Sequence, residues 1–369
     1  MNILHVYKCA LPLSTGGIEH VIEELCQQTI KFGHRNTIVC LSDKVADKQT
    51  MDLPYGQLIV FPQNVEIASC GFSLSLLKAF RQLAQQHDIL HFQFPWPFAD
   101  VLAMLTNRPY VVTYQSDIVR QRGWLKLYRP LMKRFLSRAA AVTASSPNLL
   151  KNSPVLSQLT KTPVVIPNGI GDEIPALDTA LVARFSAQLP DKFILFIGAF
   201  RYYKGIDTLI EAAAKTAVHI VICGDGPLRQ TFESQIEAQQ LDNVTLLGFV
   251  EEGEKNALLS LCTALVLPSG YASEAYGMVL VEAARMGKPL ISTELGTGTT
   301  FINQADKTGL VLPPGDAEKL ASAMTWLSEH PEQATEMGQA SRQRFADHLT
   351  ASRMGVAYDG LYRSIMAAV

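Results

Sequence analysis

Long apolar runs are missing from this chain: none approaches the roughly 20 residues that a membrane span needs. The start, MNILHVYKCALPL, has no basic opening, and His5 and Lys8 interrupt its apolar residues, so no secretory leader is expected. Cysteine is sparse. Cys9, Cys26, Cys40, Cys70, Cys223 and Cys262 form no CxxC pair and no metal-like spacing. They read as buried thiols of a reducing compartment. GxGxxG and the P-loop are absent, which removes the ordinary fingerprints for NAD and ATP. Neither an internal repeat nor a low-complexity segment is present.

What remains is ordinary for a well-packed protein, with 48% hydrophobic and 18% charged residues. At 369 residues the chain is long for one core, so two domains are expected. The net charge of −2 hides an asymmetry: residues 1–169 carry 17 Lys and Arg against 10 Asp and Glu, and residues 170–369 carry 15 against 24. A basic half joined to an acidic half suggests domains with different partners; two surfaces that merely differ would look the same. Short apolar runs (NILHVY, NTIVCLS, LIVF, DILHFQ, YVVTYQ, AAVTASS, TPVVIPNGI) alternate with helical patterns, which points to a parallel sheet covered on both faces. IPNGIGDEIP reads as a linker. A second alternating series follows, from KFILFIGAF through HIVICGDG, VTLLGFV, ALVLPS and PLIST to TGLVLPP. The expectation is α/β: two doubly wound Rossmann-like domains, residues 1–169 and 170–350, facing across a cleft, with 351–369 as a helix packing back on the first. Ligands of such folds bind at the carboxyl ends of the strands.

Three stretches carry chemistry. STGGIEHVIEEL at 14–25 sets Gly16 and Gly17 between a strand and a helix, where backbone can approach an anion; a tight turn accounts for the same glycines. GAFRYYKG at 198–205 also joins strand to helix and holds Arg201 and Lys204, two cations suited to a diphosphate leaving group or simply solvated. In SEAYGMVLVEA at 273–283, a helix starting near Gly277 would leave the amides of Met278, Val279 and Leu280 as unpaired first-turn donors. Glu274 would project past the helix end, where a carboxylate can accept from sugar hydroxyls, and Glu282 could reach a ribose diol. On spacing alone the plainer reading wins: Glu274 as a carboxylate favouring the helix dipole and Glu282 as an exposed helix residue.

These motifs, with CGDGP at 223–227, VVTYQSDIVRQ and VLPS, occur over nearly the full length in one order. In that order the chain resembles a family-4 retaining glycosyltransferase of the GT-B architecture. ISTELGTGTTFIN and VVTYQSDIVRQ look most like bacterial mannosyltransferases of surface polysaccharide. The resemblance implies that Glu274 contacts the donor sugar and Glu282 the nucleotide ribose. Lys204 and Arg201 would hold the diphosphate with the amides after Gly277. Gly16 and Gly17 would approach the phosphates or sugar, and the backbone near Val250 would border the base. Two departures stand out. Many relatives place an arginine directly after the glycine of GAF, where this chain has Ala199. Relatives commonly read TYHSD where this chain reads TYQSD, so the histidine over the sugar ring maps to Gln115, which cannot titrate near neutrality. Three readings follow: the imidazole is dispensable here, the activity is weakened, or the position has been altered. Metal-dependent glycosyltransferases of the other main architecture commonly use an Asp-x-Asp pair. None occurs here, so the sequence requires no metal and no cofactor beyond a nucleotide-sugar donor.

RQRGWLKLYRPLMKRFLSR at 120–138 carries seven basic residues and no acid. Arg120, Arg122, Trp124, Lys126, Arg129, Lys133 and Arg134 suit an anionic membrane surface or lipid-linked acceptor; a core helix with a solvated basic face would share the pattern. The expectation is an α-mannosyltransferase acting with GDP-mannose on a lipid-linked glycan in lipopolysaccharide O-antigen or other surface polysaccharide synthesis. It would be cytoplasmic, peripheral to the inner face of the membrane, able to assemble with other glycan-synthesis enzymes, and without a nucleic-acid partner. The rivals are a hydrolysing sugar-nucleotide epimerase on the same plan and a degenerate transferase kept as a scaffold.

Overall fold

Several strands of this chain are buried on both faces. Ile89–Phe94, Tyr110–Tyr114 and Leu290–Thr293 are buried at every position. Such runs suit a sheet covered by helices on both sides, and the computed structural model, which describes residues 1–67, 70–118 and 122–368 without the side chains of 122–126, has that arrangement twice. Contacts divide the chain into one unit of residues 1–171 with 350–369 and another of residues 172–349.

In the first unit the strands are β1 (Asn2–Val6), β2 (Arg35–Ser42), β3 (Gln49–Leu53), β4 (Gly56–Pro62), β5 (Val65–Ile67), β6 (Cys70–Phe72), β7 (Ile89–Phe94), β8 (Tyr110–Tyr114), β9 (Ala141–Ala144) and β10 (Val164–Val165). Among the described residues they build an eight-stranded sheet ordered β10-β9-β8-β7-β1-β2-β4-β3, with β5 and β6 as a separate antiparallel pair. β1 is central and parallel to both neighbours, Leu4 lying opposite Thr37 and Leu90. The sequence reading missed β3, which runs antiparallel to β4 on the sheet edge. Its residues are half-buried or exposed, so no apolar run announces it.

The helix Ala351–Ala367 belongs to this first unit and packs on the helix Gly17–Thr29. A buried polar seam fixes it there. His91 hydrogen-bonds Tyr362 Oη and Thr113 Oγ1, both at 2.7 Å. Tyr358 Oη meets Thr113 Oγ1 at 2.7 Å and Thr143 Oγ1 at 3.0 Å. His34 Nε2 lies 2.7 Å from Asp359 Oδ1. His5, beside His91, reaches Asn36 Oδ1 at 3.2 Å. Buried polar groups cost least when each finds its partner, so the seam favours one seating of the helix over any slipped alternative.

The second unit holds β11 (Phe193–Ile197), β12 (His219–Cys223), β13 (Val244–Gly248), β14 (Ala264–Leu267), β15 (Leu290–Thr293) and β16 (Gly309–Leu312), all parallel, in the order β13-β12-β11-β14-β15-β16. β11 and β14 are neighbours in space though not in sequence, so the loops that follow them emerge side by side. Gly205 lets the first of these loops turn. Its φ is +69°, and a Cβ there would run into the Pro268 carbonyl of the second loop.

Two predictions follow. Gly205→Ala must strain or displace both loops and should cost about 2–3 kcal/mol; an unchanged melting temperature would contradict the packing. Burial pushes the His5 pKa down from 6.5 to about 4, and it holds His91 well below the usual value, with His5 adding to the effect. A histidine depressed on folding contributes stability that is whole above its unfolded pKa and is lost as pH falls through the folded one. For His5 that window runs from 6.5 down to about 4. Denaturant titrations across it should show a loss of roughly 3 kcal/mol from His5 alone, and a flat profile would refute the buried, neutral seam.

Candidate active site

After β11 the chain runs from Gly198 to Lys204 before Gly205 opens the helix Ile206–Ala213. Phe200 is buried, and its amide donates to the Asp225 carbonyl at 2.8 Å, which stitches this loop to the turn after β12. After β14 the chain passes Ser269 and Tyr271 to reach Glu274. The two loops share a backbone bond from Gly270 N–H to the Tyr203 carbonyl, 2.9 Å.

Where they meet, Lys204 Nζ lies 2.6 Å from Glu274 Oε2, and both side chains are mostly sheltered, at 14% and 9% exposure. The Ser269 hydroxyl donates to the same oxygen at 3.0 Å. The backbone of Glu274 is fixed as well: its amide donates to Tyr271 O at 3.0 Å, and its carbonyl accepts from Thr297 Oγ1 at 2.8 Å. Burial works against the Lys204 charge, yet the adjacent Glu274 carboxylate more than offsets it and holds the lysine above its usual pKa. The lysine is therefore a fixed positive charge across the physiological range.

Gly277 follows at φ +86° and opens the helix Met278–Arg285; a Cβ on it would press on Leu267 Cδ2 at 2.9 Å. The expectation of three unpaired amides needs correcting. Leu280 N–H closes a turn onto the Gly277 carbonyl at 2.9 Å, because the first turn tightens. Met278 and Val279 are the half-buried residues whose amides keep no acceptor among the described residues. Further along, Glu282 Oε1 accepts from Lys255 Nζ at 2.9 Å, and the same ammonium lies 2.7 Å from Glu252 Oε2. Val250 is half-buried between β13 and the helix Glu252–Leu261. Arg201 is exposed and makes no ion pair among the described residues. In this unit, then, Lys204, Glu274 and Gly277 converge at the carboxyl ends of β11 and β14, while Arg201 stands outside that ion pair.

The remaining residues belong to the first unit. Gly16 precedes the helix Gly17–Thr29 in extended conformation and provides no side-chain cap. The buried Glu19 in the first turn takes up the loop instead, accepting from Cys9 Sγ and Ser14 Oγ, both at 3.1 Å. A Cβ on Gly16 would come within 2.6 Å of the Glu19 carboxylate. Gln115 sits just past β8 and is 5% exposed. Its Nε2 donates to Gln93 Oε1 at 2.9 Å, and its Oε1 accepts from Asn168 Nδ2 at 3.0 Å. The amide thus forms part of a buried side-chain relay.

Arg120 lies outside the described residues. Arg122, Trp124 and Lys126 fall within the helix Arg122–Arg138, but their side chains are outside the described part. Farther along that helix Met132, Phe135 and Leu136 enter the core, while Leu127, Arg129, Lys133 and Arg134 are exposed. The Tyr128 hydroxyl donates to the buried Asp100.

Sequence reasoning missed Ser269, Thr297, Glu19 and Lys255. Glu19 carried a usable signal, an acid in a helix's first turn. Lys255 lies 27 positions from Glu282, and only the tertiary fold brings the two side chains together.

The comparisons with known proteins divide along the same lines as the chain. Residues 15–173 match the Glycosyltransferase Family 4 model, and residues 181–344 match the model for Glycosyl transferases group 1. D-rhamnosyltransferase WbpZ of Pseudomonas aeruginosa is 44% identical, with 95% of this chain and 93% of that protein covered. O-antigen chain mannosyltransferase C of Escherichia coli is 41% identical, with 99% of each covered. Among solved structures, sucrose-phosphate synthase from Thermosynechococcus elongatus superimposes with a TM-score of 0.82 at 20% identity over 100% of both chains. Anabaena HepE in complex with UDP does so with 0.77 at 19%, over 99% of this chain and 100% of that one. With two relatives above 40% identity along almost its whole length and both halves matched by glycosyltransferase models, this chain belongs to the family-4, group 1 glycosyltransferases and has their two-domain GT-B fold.

Proposed function

We propose that this glycosyltransferase moves a hexose, mannose from GDP-mannose in the first instance, onto a lipid-linked glycan of a bacterial surface polysaccharide such as O-antigen, with retention at the anomeric carbon. The observation that carries the chemistry is the sheltered Lys204–Glu274 pair at the carboxyl ends of β11 and β14. The two similar relatives supply the setting. One is named for O-antigen chain mannosyl transfer and the other for D-rhamnosyl transfer, so D-rhamnose is the second donor sugar to test.

In this reading the departing diphosphate is met by the Lys204 ammonium and the Met278 and Val279 amides. These donors are already in position, so charge develops against a field that needs no reorganisation. Arg201, exposed on the same loop, turns inward to add a second cation. Glu274, held by Ser269 and Lys204, receives hydroxyls of the donor sugar. Glu282 receives the ribose diol, and the backbone at Val250 borders the base. In the first unit Gln115 stands in place of the family histidine and offers an amide hydrogen bond without a titrating proton. The bond from the anomeric carbon to the diphosphate oxygen breaks as the acceptor hydroxyl attacks on the same face, and the hydroxyl proton passes to the departing diphosphate. No metal ion or other cofactor is called on.

The basic helix gives the acceptor side its location. Its outer face at Arg129, Lys133 and Arg134 suits an anionic leaflet, while Met132, Phe135 and Leu136 anchor it to the core. Among the described residues no helix is long and apolar enough to cross a membrane, and peripheral docking on the inner face of the cytoplasmic membrane fits that finding.

The product assay is direct. GDP-mannose with a lipid-linked acceptor should yield GDP and an extended glycan; an epimerised free sugar would favour the epimerase. Lys204→Ala and Glu274→Ala should each lower kcat by about a hundredfold. If both variants still support glycan assembly in a strain lacking the protein, the scaffold reading wins. Replacing Arg129, Lys133 and Arg134 together by Gln should weaken binding to phosphatidylglycerol vesicles by roughly a hundredfold, at about 1 kcal/mol per basic residue, and unchanged sedimentation with vesicles would exclude this face as the docking surface.

A further inference from the structure

Lys255 has no place in the chemistry above, yet it is one of the most constrained lysines in the second unit. It leaves the first turn of the helix Glu252–Leu261 and meets Glu282 from the middle of the helix Met278–Arg285. Its two ion pairs are unequal. Glu252 is 63% exposed, so water screens that partner strongly, whereas Lys255 and Glu282 are only 15% and 19% exposed and their attraction is screened much less. Burial works to lower the Lys255 pKa, but Glu282 and then Glu252 hold it above the usual lysine value, so the ammonium stays charged.

The pairing is also one-sided on the carboxylate. Lys255 takes Glu282 Oε1, while Oε2 has no partner among the described residues. A glutamate side chain alone samples several rotamers, and fixing it costs free energy each time a ligand must do so. Here the cost is met before any ligand arrives. A carboxylate clamped by one oxygen and open at the other is built to accept from paired hydroxyls.

We propose that Lys255 is a positioning residue: it clamps Glu282 so that the open oxygen meets the 2′- and 3′-hydroxyls of the donor's ribose, and it thereby sets a preference for ribonucleotide over 2′-deoxyribonucleotide donors. This rests on the reading in which Glu282 binds the ribose. Lys255 acts through the glutamate and touches no reacting atom, so its loss falls on donor affinity and leaves the chemical step intact.

The test is calorimetric titration of the full chain with GDP and with 2′-deoxy-GDP, in the wild type, Lys255→Met, Lys255→Arg and Glu282→Gln. The wild type should bind GDP about tenfold more tightly than 2′-deoxy-GDP. Lys255→Met should weaken GDP about tenfold and 2′-deoxy-GDP, which keeps only its 3′-hydroxyl for Glu282, by about threefold, so that the ratio falls to about three, while Lys255→Arg keeps most of it. In steady state the donor KM of Lys255→Met should rise with kcat within threefold of the wild type. A Lys255→Met ratio equal to the wild type's, or equal weakening of both nucleotides, overturns the proposal. If Glu282→Gln abolishes the ratio while Lys255→Met keeps it, only the positioning role fails. If Glu282→Gln keeps the ratio, or the wild type shows none, the ribose reading itself fails and takes the proposal with it.

Discussion

A single sheltered ion pair organises the second unit's loops. Lys204 and Glu274 come from loops 70 positions apart in sequence, and the adjacency of β11 and β14 brings them together. Each charge alone would be expensive at that degree of burial, and together, with the Ser269 hydroxyl, they satisfy one another. The consequence reaches the backbone. Gly205 turns against Pro268, Gly270 bonds Tyr203, and Thr297 holds the Glu274 carbonyl. The helix start at Gly277 is positioned by the same loop. At this edge of the sheet the Lys204 ammonium is held charged and fixed in place by its partner.

The first unit solves a different problem with the same means. Its sheet needs covering on the side where the helix Ala351–Ala367 lies, and a purely apolar contact would accept many seatings. The His91, Thr113, Thr143, Tyr358 and Tyr362 seam accepts few, because any slip leaves buried donors and acceptors unpaired. The histidines contribute as neutral hydrogen-bonding groups, which ties the seating of this helix to pH. Gln115 belongs to a neighbouring buried relay between Gln93 and Asn168. An amide fits such a relay at any pH, whereas an imidazole there would bring a titrating group into it.

Much of the fold was legible because buried parallel strands spell themselves as short apolar runs; YVVTYQ and KFILFIGAF could hardly be anything else. The polar edge strand β3 was not legible, since nothing in QTMDL marks burial. For the site, the strand-loop-helix punctuation around GAFRYYKG and SEAYGMVLVEA located Lys204, Glu274 and Gly277, and the family resemblance gave them roles that spacing alone would not. The count of open amides was overestimated because the sequence does not reveal that the first turn closes on Gly277. Ser269 and Lys255 were invisible for a plainer reason: each acts on a glutamate from an adjoining element, and the pairing of those elements is decided by packing rather than by local pattern.

The most direct measurement is calorimetric titration of the wild type and Lys204→Met with GMP and with GDP. If Lys204 serves the diphosphate, the second phosphate should raise wild-type affinity by at least about tenfold, and that gain should shrink to threefold or less in the variant while GMP binds both equally. An undiminished gain in Lys204→Met would contradict the assignment of this lysine to the leaving group.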